Sequence, residues 1–233
     1  MDNSKLAHLI AQAVVLVPEV EAHLSPQALA LLDDPGRLAV KAGELTAINA
    51  TYHDRITQAL IDFLEGGNIV SSRNGFKRAT SDAFNDAFDA GWIDGGGDPS
   101  GYDSDAQDWI NARKEAEFGY IEMIYQQAKE LKKEDGFDGF AWASERADGY
   151  TNTLRSVYNQ GKLRAMKDIM VTFEGTDGAK SCDTCQELKG KRHRISWFIK
   201  RDYIPPHGSG LDCAKGGHCM HGLFSDAGEQ VTQ

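Results

Sequence analysis

Apolar residues recur at helical spacing through most of the first 168 positions. Leu6, Leu9, Ile10 and Ala13 share one face of a short first helix that Pro18 ends. Ser25-Pro26 supplies an N-cap followed by proline at the first helical position, and the helix it opens stops at the Asp34-Pro35-Gly36 turn. Leu45, Ile48, Tyr52, Ile56, Leu60, Phe63 and Leu64 predict a longer helix over 42–65, closed by Gly66-Gly67. Another helix is expected over 74–91. Trp109, Ala112, Ala116, Tyr120, Ile124, Ala128 and Leu131 mark one over 104–133. Ala147, Tyr150, Leu154, Tyr158 and Gly161 mark one over 141–167. Such stripes are the core seams of a helical bundle. The glycine-rich run from Gly95 to Gly101 interrupts them and predicts a long loop or hinge near 94–103.

The pattern changes at Ile169. Ile169-Met170-Val171-Thr172-Phe173 favours a strand, and Gly175-Thr176-Asp177-Gly178 favours a turn. Beyond it, glycine, proline and histidine are frequent and helical period is lost. The expected fold is therefore mainly α: a helical body over 1–168, then a small C-terminal α+β module over 169–226, then a flexible tail over 227–233. There is no internal repeat and no low-complexity segment.

Charge narrows the function classes. The chain of 233 residues carries a formal charge of −10. Residues 176–233 hold eight Lys/Arg against seven Asp/Glu, so the negative excess lies before residue 176. An acidic body argues against general nucleic-acid binding, which needs clustered cations. It suits a soluble protein or one that docks on basic partners. The apolar stretch Leu9–Val17 is far shorter than the roughly 20 residues a bilayer requires, and the opening Met-Asp-Asn-Ser-Lys lacks the basic start of a signal peptide. The expectation is a protein made and kept in cytoplasm, with no membrane partner, where thiols stay reduced.

Four cysteines then call for a metal more than for disulfides. Cys182-x2-Cys185 and Cys213-x5-Cys219 are separated by 27 residues. A C-x-x-C step lets two thiolates converge from one tight turn, and two such knuckles close a tetrahedral Zn²⁺ site. Gly216-Gly217 lets the second knuckle reverse. His207, His218 and His221 are alternate or additional ligands, or outer-shell partners. With no open coordination position in evidence, the expected role of Zn²⁺ is structural. Such an ion supplies roughly 10–16 kcal/mol of apparent binding free energy, which a short segment with few core positions needs. Between the knuckles, Lys189, Lys191, Arg192 and Arg194, followed by Lys200 and Arg201, form a basic run. It either contacts DNA phosphates or is a solvated loop paired with acidic residues.

The order of residues through this segment is specific. Asp183 and Thr184 lie inside the first knuckle; Leu188-x-Gly190-Lys191, Trp197, Arg201-Asp202-Tyr203, Pro205-Pro206, Leu211-x-Cys213, Gly216-Gly217, Cys219 and Leu223 follow. This resembles the C-terminal motif of the minor head, or head-morphogenesis, proteins of tailed bacteriophages, the Mu F-like group. The helical stretch Arg146–Met166 is similar to that family's helix-rich body. His221 stands where the family usually has its last cysteine, which leaves open whether Cys219 or His221 is the fourth ligand. The resemblance implies a low-copy virion component, made in the host cytoplasm. It implies action near the portal protein, with scaffold and major capsid proteins, and in some relatives association with phage DNA.

No P-loop, G-x-S-x-G, dinucleotide-binding fingerprint or H-E-x-x-H is present. A structural, non-enzymatic role is therefore expected. The alternatives are a zinc-ribbon module that binds nucleic acid through Lys189–Arg201, and a metal-dependent nuclease with His207 or His193 as its base.

Overall fold

The computed structural model describes residues 35–98, 100–175, 181–206, 208–212 and 221–232, with the side chains of 35–44, 151 and 152 excepted. The first two expected helices, the turn over 176–178 and the second knuckle lie outside the described residues. The chain divides into two units, Met1–Gly43 and Glu44–Gln233, and both hydrophobic cores belong to the second.

Among the described residues four long helices come first: α1 Pro35–Leu64, α2 Ile69–Asp94, α3 Ser104–Leu131 and α4 Gly139–Ala165. Each of the last three starts on a side-chain cap. Asn68 accepts from the Val70 and Ser71 amides, Asp103 from Ala106, and Asp138 from Ala141. These bonds satisfy amide donors that have no partner within the helix. Where a turn was expected at Asp34-Pro35-Gly36, Pro35 and Gly36 are helical and Pro35 begins α1, as its fixed φ allows at a first helical position. Gly66, at φ 103°, ends it as expected.

α2 begins five residues before the expected position. Ser71, Ser72 and Gly75 are poor helix formers, but tertiary contacts outweigh propensity here. Ser72 is buried, donates to the Ala59 carbonyl of α1, and lies 2.6 Å from the Tyr125 hydroxyl of α3. One polar junction thus ties three helices together.

α2 and α4 form the closest pair. Gly91 faces the backbone of Tyr158, and Gly161 faces the backbone of Phe88, at distances that leave no room for a Cβ. Lys162 and the Tyr158 hydroxyl meet Asp94 at 2.9 and 2.8 Å beside this crossing. The glycine-rich connection from Gly95 to Asp103 lies where the sequence put a loop or hinge. It is tied down: the Trp92 indole donates to the Asp98 carbonyl at 2.9 Å, and Tyr102 packs edge-on against Phe88 and Trp92.

A three-stranded antiparallel sheet follows, made of β1 Met170–Gly175, β2 Arg192–Arg194 and β3 His221–Ser225, in the order β2-β1-β3. Two short helices, α5 Asp183–Leu188 and α6 Ile195–Arg201, pack with it. Val171 and Phe173 of β1, Leu223 of β3, Leu188 of α5 and Phe198 of α6 share one small core. The molecule is thus mainly helical with a small sheet.

Two boundaries differ from expectation. Leu163 and Met166, at the end of α4, pack into the core of the sheet module, so the module reaches back before 169. The expected flexible tail folds onto the sheet. The Val231 amide donates to the Leu223 carbonyl, the Thr232 hydroxyl accepts from the Leu223 amide, and both side chains are buried. Gly228, at φ 79°, turns the chain back, which lets Val231 cover Leu223.

Among the described residues no helix is long and apolar enough to cross a membrane.

Candidate metal centre

The first knuckle is built as its spacing predicts. Cys182 has extended backbone and caps α5, and its sulfur accepts from the Cys185 amide at 3.4 Å. That bond folds the four residues into one turn. Cys185 is buried in the module core and Cys182 is half-buried; neither is in a disulfide. After α5 the chain must reverse into β2. Gly190 does this at φ 75°, donating to the Phe173 carbonyl at 2.8 Å, and this is why glycine follows Leu188 at that interval.

Cys213, Cys219, His207 and His218 lie outside the described residues. The ends of that segment are described, and they bear on the site. Asp212, the residue before Cys213, accepts through Oδ2 from the Thr184 hydroxyl at 2.5 Å and from the Thr184 amide at 3.4 Å. Thr184 lies between Cys182 and Cys185.

At the other end of the segment, His221 opens β3 opposite Gly175 of β1. Its ring is buried and stacked on Phe173, centroids 5.4 Å apart. Phe173, Leu223 and Cys185 all belong to the module core, so His221 stands on the core face of the sheet with them. Two cysteine thiols brought into one turn are donors of the kind that suits Zn²⁺. Among the described residues no group of three or more His, Cys, Asp or Glu side chains is placed to hold a metal ion.

The basic run does not form a free cationic strip. Arg192 makes a two-pronged bond to Asp226 at 3.0 and 2.5 Å and holds that exposed carboxyl below its usual range. Arg194 donates to the Asp168 carbonyl at 2.7 Å, with the Asp168 carboxylate 3.9 Å away. Arg201 lies over the Trp197 ring at 4.2 Å, and His193 stacks on the same indole at 3.9 Å. Lys191 and Lys200 are exposed. Trp197 and Phe198 pack in the module, as their apolar surface favours.

Sequence reasoning passed over the contacts that seat the module. Asn159 and Gln160, fully buried on α4, donate to the Pro205 carbonyl at 2.9 Å and to Asp202. Asp202 adopts left-handed backbone at φ 51° after α6, and its carboxylate also accepts from the Ser209 amide and hydroxyl at 2.7 and 2.5 Å. Asp168 accepts from the Ser196 amide and hydroxyl, capping α6 from outside it. The signal for the first pair was adjacent amides on what otherwise reads as an apolar helix face.

Comparison with protein-family models, with curated proteins and with solved structures finds no match.

Proposed function

We propose that this chain is a structural minor head protein of a tailed phage, acting in head assembly near the portal, with a C-terminal module closed by one structural Zn²⁺. The observation that carries this reading is the joining of the motif residues in space. Leu188, Trp197, Tyr203, Leu211 and Leu223, scattered over the segment that resembles the Mu F-like motif, pack in one core with Cys185. Asp212 brings the chain before Cys213 back to Thr184. The ion would be held by Cys182, Cys185, Cys213 and Cys219 or His221, and it would supply cross-linking free energy and no reaction. The helical body would present its surface to portal, scaffold or major capsid neighbours.

The test is mass spectrometry of purified virions and proheads of the phage encoding the chain, together with metal analysis of the purified protein. The expected result is the chain in low copy in particles and one zinc per chain. Its absence from both particle types overturns the assembly role. The alternative, a zinc-ribbon module on nucleic acid, is less favoured because Arg192 and Arg194 are engaged with Asp226 and Asp168. Steeply salt-dependent DNA binding would favour it instead.

A further inference from the structure

We propose that the outer face of α3 is a docking surface for an amphipathic helix of another protein, one that lays apolar side chains on Ala116, Tyr120 and Met123 and carries lysine or arginine along one edge. The inference uses the helical body alone. It goes beyond the assembly and zinc readings, because a helix of this chemistry is recognised whether or not it belongs to a head protein.

α3 has two apolar sides. Ile110, Ile121, Tyr125 and Ala128 are buried in the body core. Ala112, Ala116, Gly119, Tyr120 and Met123 recur at helical spacing on the opposite side, and all five are exposed. Tyr120 is 53% exposed and Met123 58%. Single exposed apolar side chains are ordinary, but this run extends for about 16 Å along one helix. Its small residues let a second helix come close, and Tyr120 and Met123 supply contact area, the methionine adapting to the shape it meets. Charge selects the occupant. Asp108 stands four residues before Ala112 and Glu115 three after it, so both carboxylates lie along one edge of the run. Both are exposed, and neither makes a hydrogen bond or ion pair among the described residues. The nearby cations are committed elsewhere: Arg113 to Glu117 at 2.6 Å, Lys114 to Asn85, and Arg73 and Lys77 to Glu122 at 2.8 and 2.6 Å. A second copy of the chain would bring the same carboxylates to the contact, since Arg113 and Lys114 are the only cations between positions 104 and 128. Nucleic acid is repelled by them. A helix with cations seven residues apart on one edge pairs with both.

The test is fluorescence anisotropy of two labelled peptides with the full chain. Both peptides are about three heptads long, with leucine and alanine on one helical face. One has lysine at every seventh position along one edge, and the other has glutamate there. At low salt the lysine peptide should bind about tenfold tighter, because two ion pairs stand where the other has two like-charge contacts. The difference should shrink at high salt. Asp108→Lys/Glu115→Lys should reverse the preference, and Tyr120→Ser/Met123→Ser should weaken both peptides by about tenfold or more. All four positions are exposed, so circular dichroism and thermal unfolding of these variants should match wild type. Peroxide should oxidise Met123 readily in the free chain and slowly with the lysine peptide bound. Equal affinity for the two peptides, binding of neither, or no reversal in the charge-swapped variant overturns the proposal. So does a wild-type dimer in sedimentation that Tyr120→Ser/Met123→Ser makes monomeric, because a second copy then occupies the face. Protection of Met123 in the free monomer overturns it too, because the chain then covers the face itself.

Discussion

Gly161→Ala and Gly149→Ala place the same methyl group on the same helix, α4, and should move stability in opposite directions. A Cβ at Gly161 would collide with the Phe88 carbonyl oxygen and lie 3.0 Å from the Trp92 amide nitrogen of α2. Carbon contacts are favourable only from about 3.5 Å. Both obstacles are backbone, so no side-chain rotation relieves them. α2 and α4 must move apart by about 1 Å, which forfeits roughly a quarter to a half of the dispersion energy of each contact on the seam. Overpacking of this kind costs about 1–3 kcal/mol, and clashes with backbone belong at the upper end. The gain in helix propensity from Gly to Ala returns about 1 kcal/mol, leaving a net loss of about 2 kcal/mol. At position 149 nothing lies within 4 Å of the added carbon and the residue is exposed, so only the gain of up to about 1 kcal/mol remains. In a unit of this size each kcal/mol shifts the melting temperature by about 2–4 °C. Thermal and urea unfolding should show Tm falling by about 4–8 °C for Gly161→Ala and rising by about 2–4 °C for Gly149→Ala. If Gly161→Ala is as stable as wild type, the close α2–α4 crossing is wrong.

Asp168→Ala removes the outside cap of α6 and should cost about 1 kcal/mol; the Ser196 amide should lose protection in hydrogen exchange while α1–α4 keep theirs. Burial pushes the Glu117 carboxyl above its ordinary 4.5, with Arg113 at 2.6 Å only partly opposing this. A raised folded pKa contributes stability that is present at low pH and lost as pH rises through the folded value. Wild type should therefore lose stability relative to Glu117→Gln from about pH 4.5 upward; a difference in urea midpoint that stays flat with pH contradicts this. Metal analysis should find zinc lost from Cys219→Ser and retained in His221→Ala, whose ring is already committed to Phe173; the opposite pattern assigns the fourth ligand to His221. Chelation of zinc should weaken protection in β1–β3 and leave the α2–α4 amides protected, and a uniform loss through both would refute the division into two cores.

What was legible in the sequence was what repeats locally, except on α3, where the expected seam residues Ala112, Ala116 and Tyr120 are exposed and Ile110, Ile121 and Tyr125 are buried instead. Tyr52, Ile56, Leu60 and Phe63 fall every third or fourth residue, and all are buried in the body core. Val171 and Phe173 alternate, and they face the module core. The Cys182-x2-Cys185 turn was legible because its geometry is set within four residues. The early start of α2 was hidden because Ser72 is helical for a tertiary reason, its bonds to Ala59 and Tyr125. The folded C-terminus was hidden for a similar reason. Ala227-Gly228-Glu229 reads as a polar end, yet it is the turn that places Val231 on Leu223. The pairing of Arg192 with Asp226, and of Thr184 with Asp212, joins residues about thirty positions apart, a separation to which no periodicity is sensitive.

The two cores explain why a metal would sit where the cysteines are. The body closes over many aromatic and aliphatic side chains, among them Phe76, Phe84, Phe88, Tyr125 and Tyr158, all essentially inaccessible to water. Burial on that scale needs no cross-link. Among the described residues the module core has eleven buried members, and one of them, Leu163, is borrowed from α4. Its sheet has a three-residue edge strand, and hydrogen bonds from Asn159 and Gln160 take up polar groups that a larger core would have covered with apolar side chains. A core so small is marginal without a staple. α4 supplies one from below, through Asn159, Gln160 and Leu163. Cys182 and Cys185 join that core through α5, so the ion proposed above would tie α5 into it.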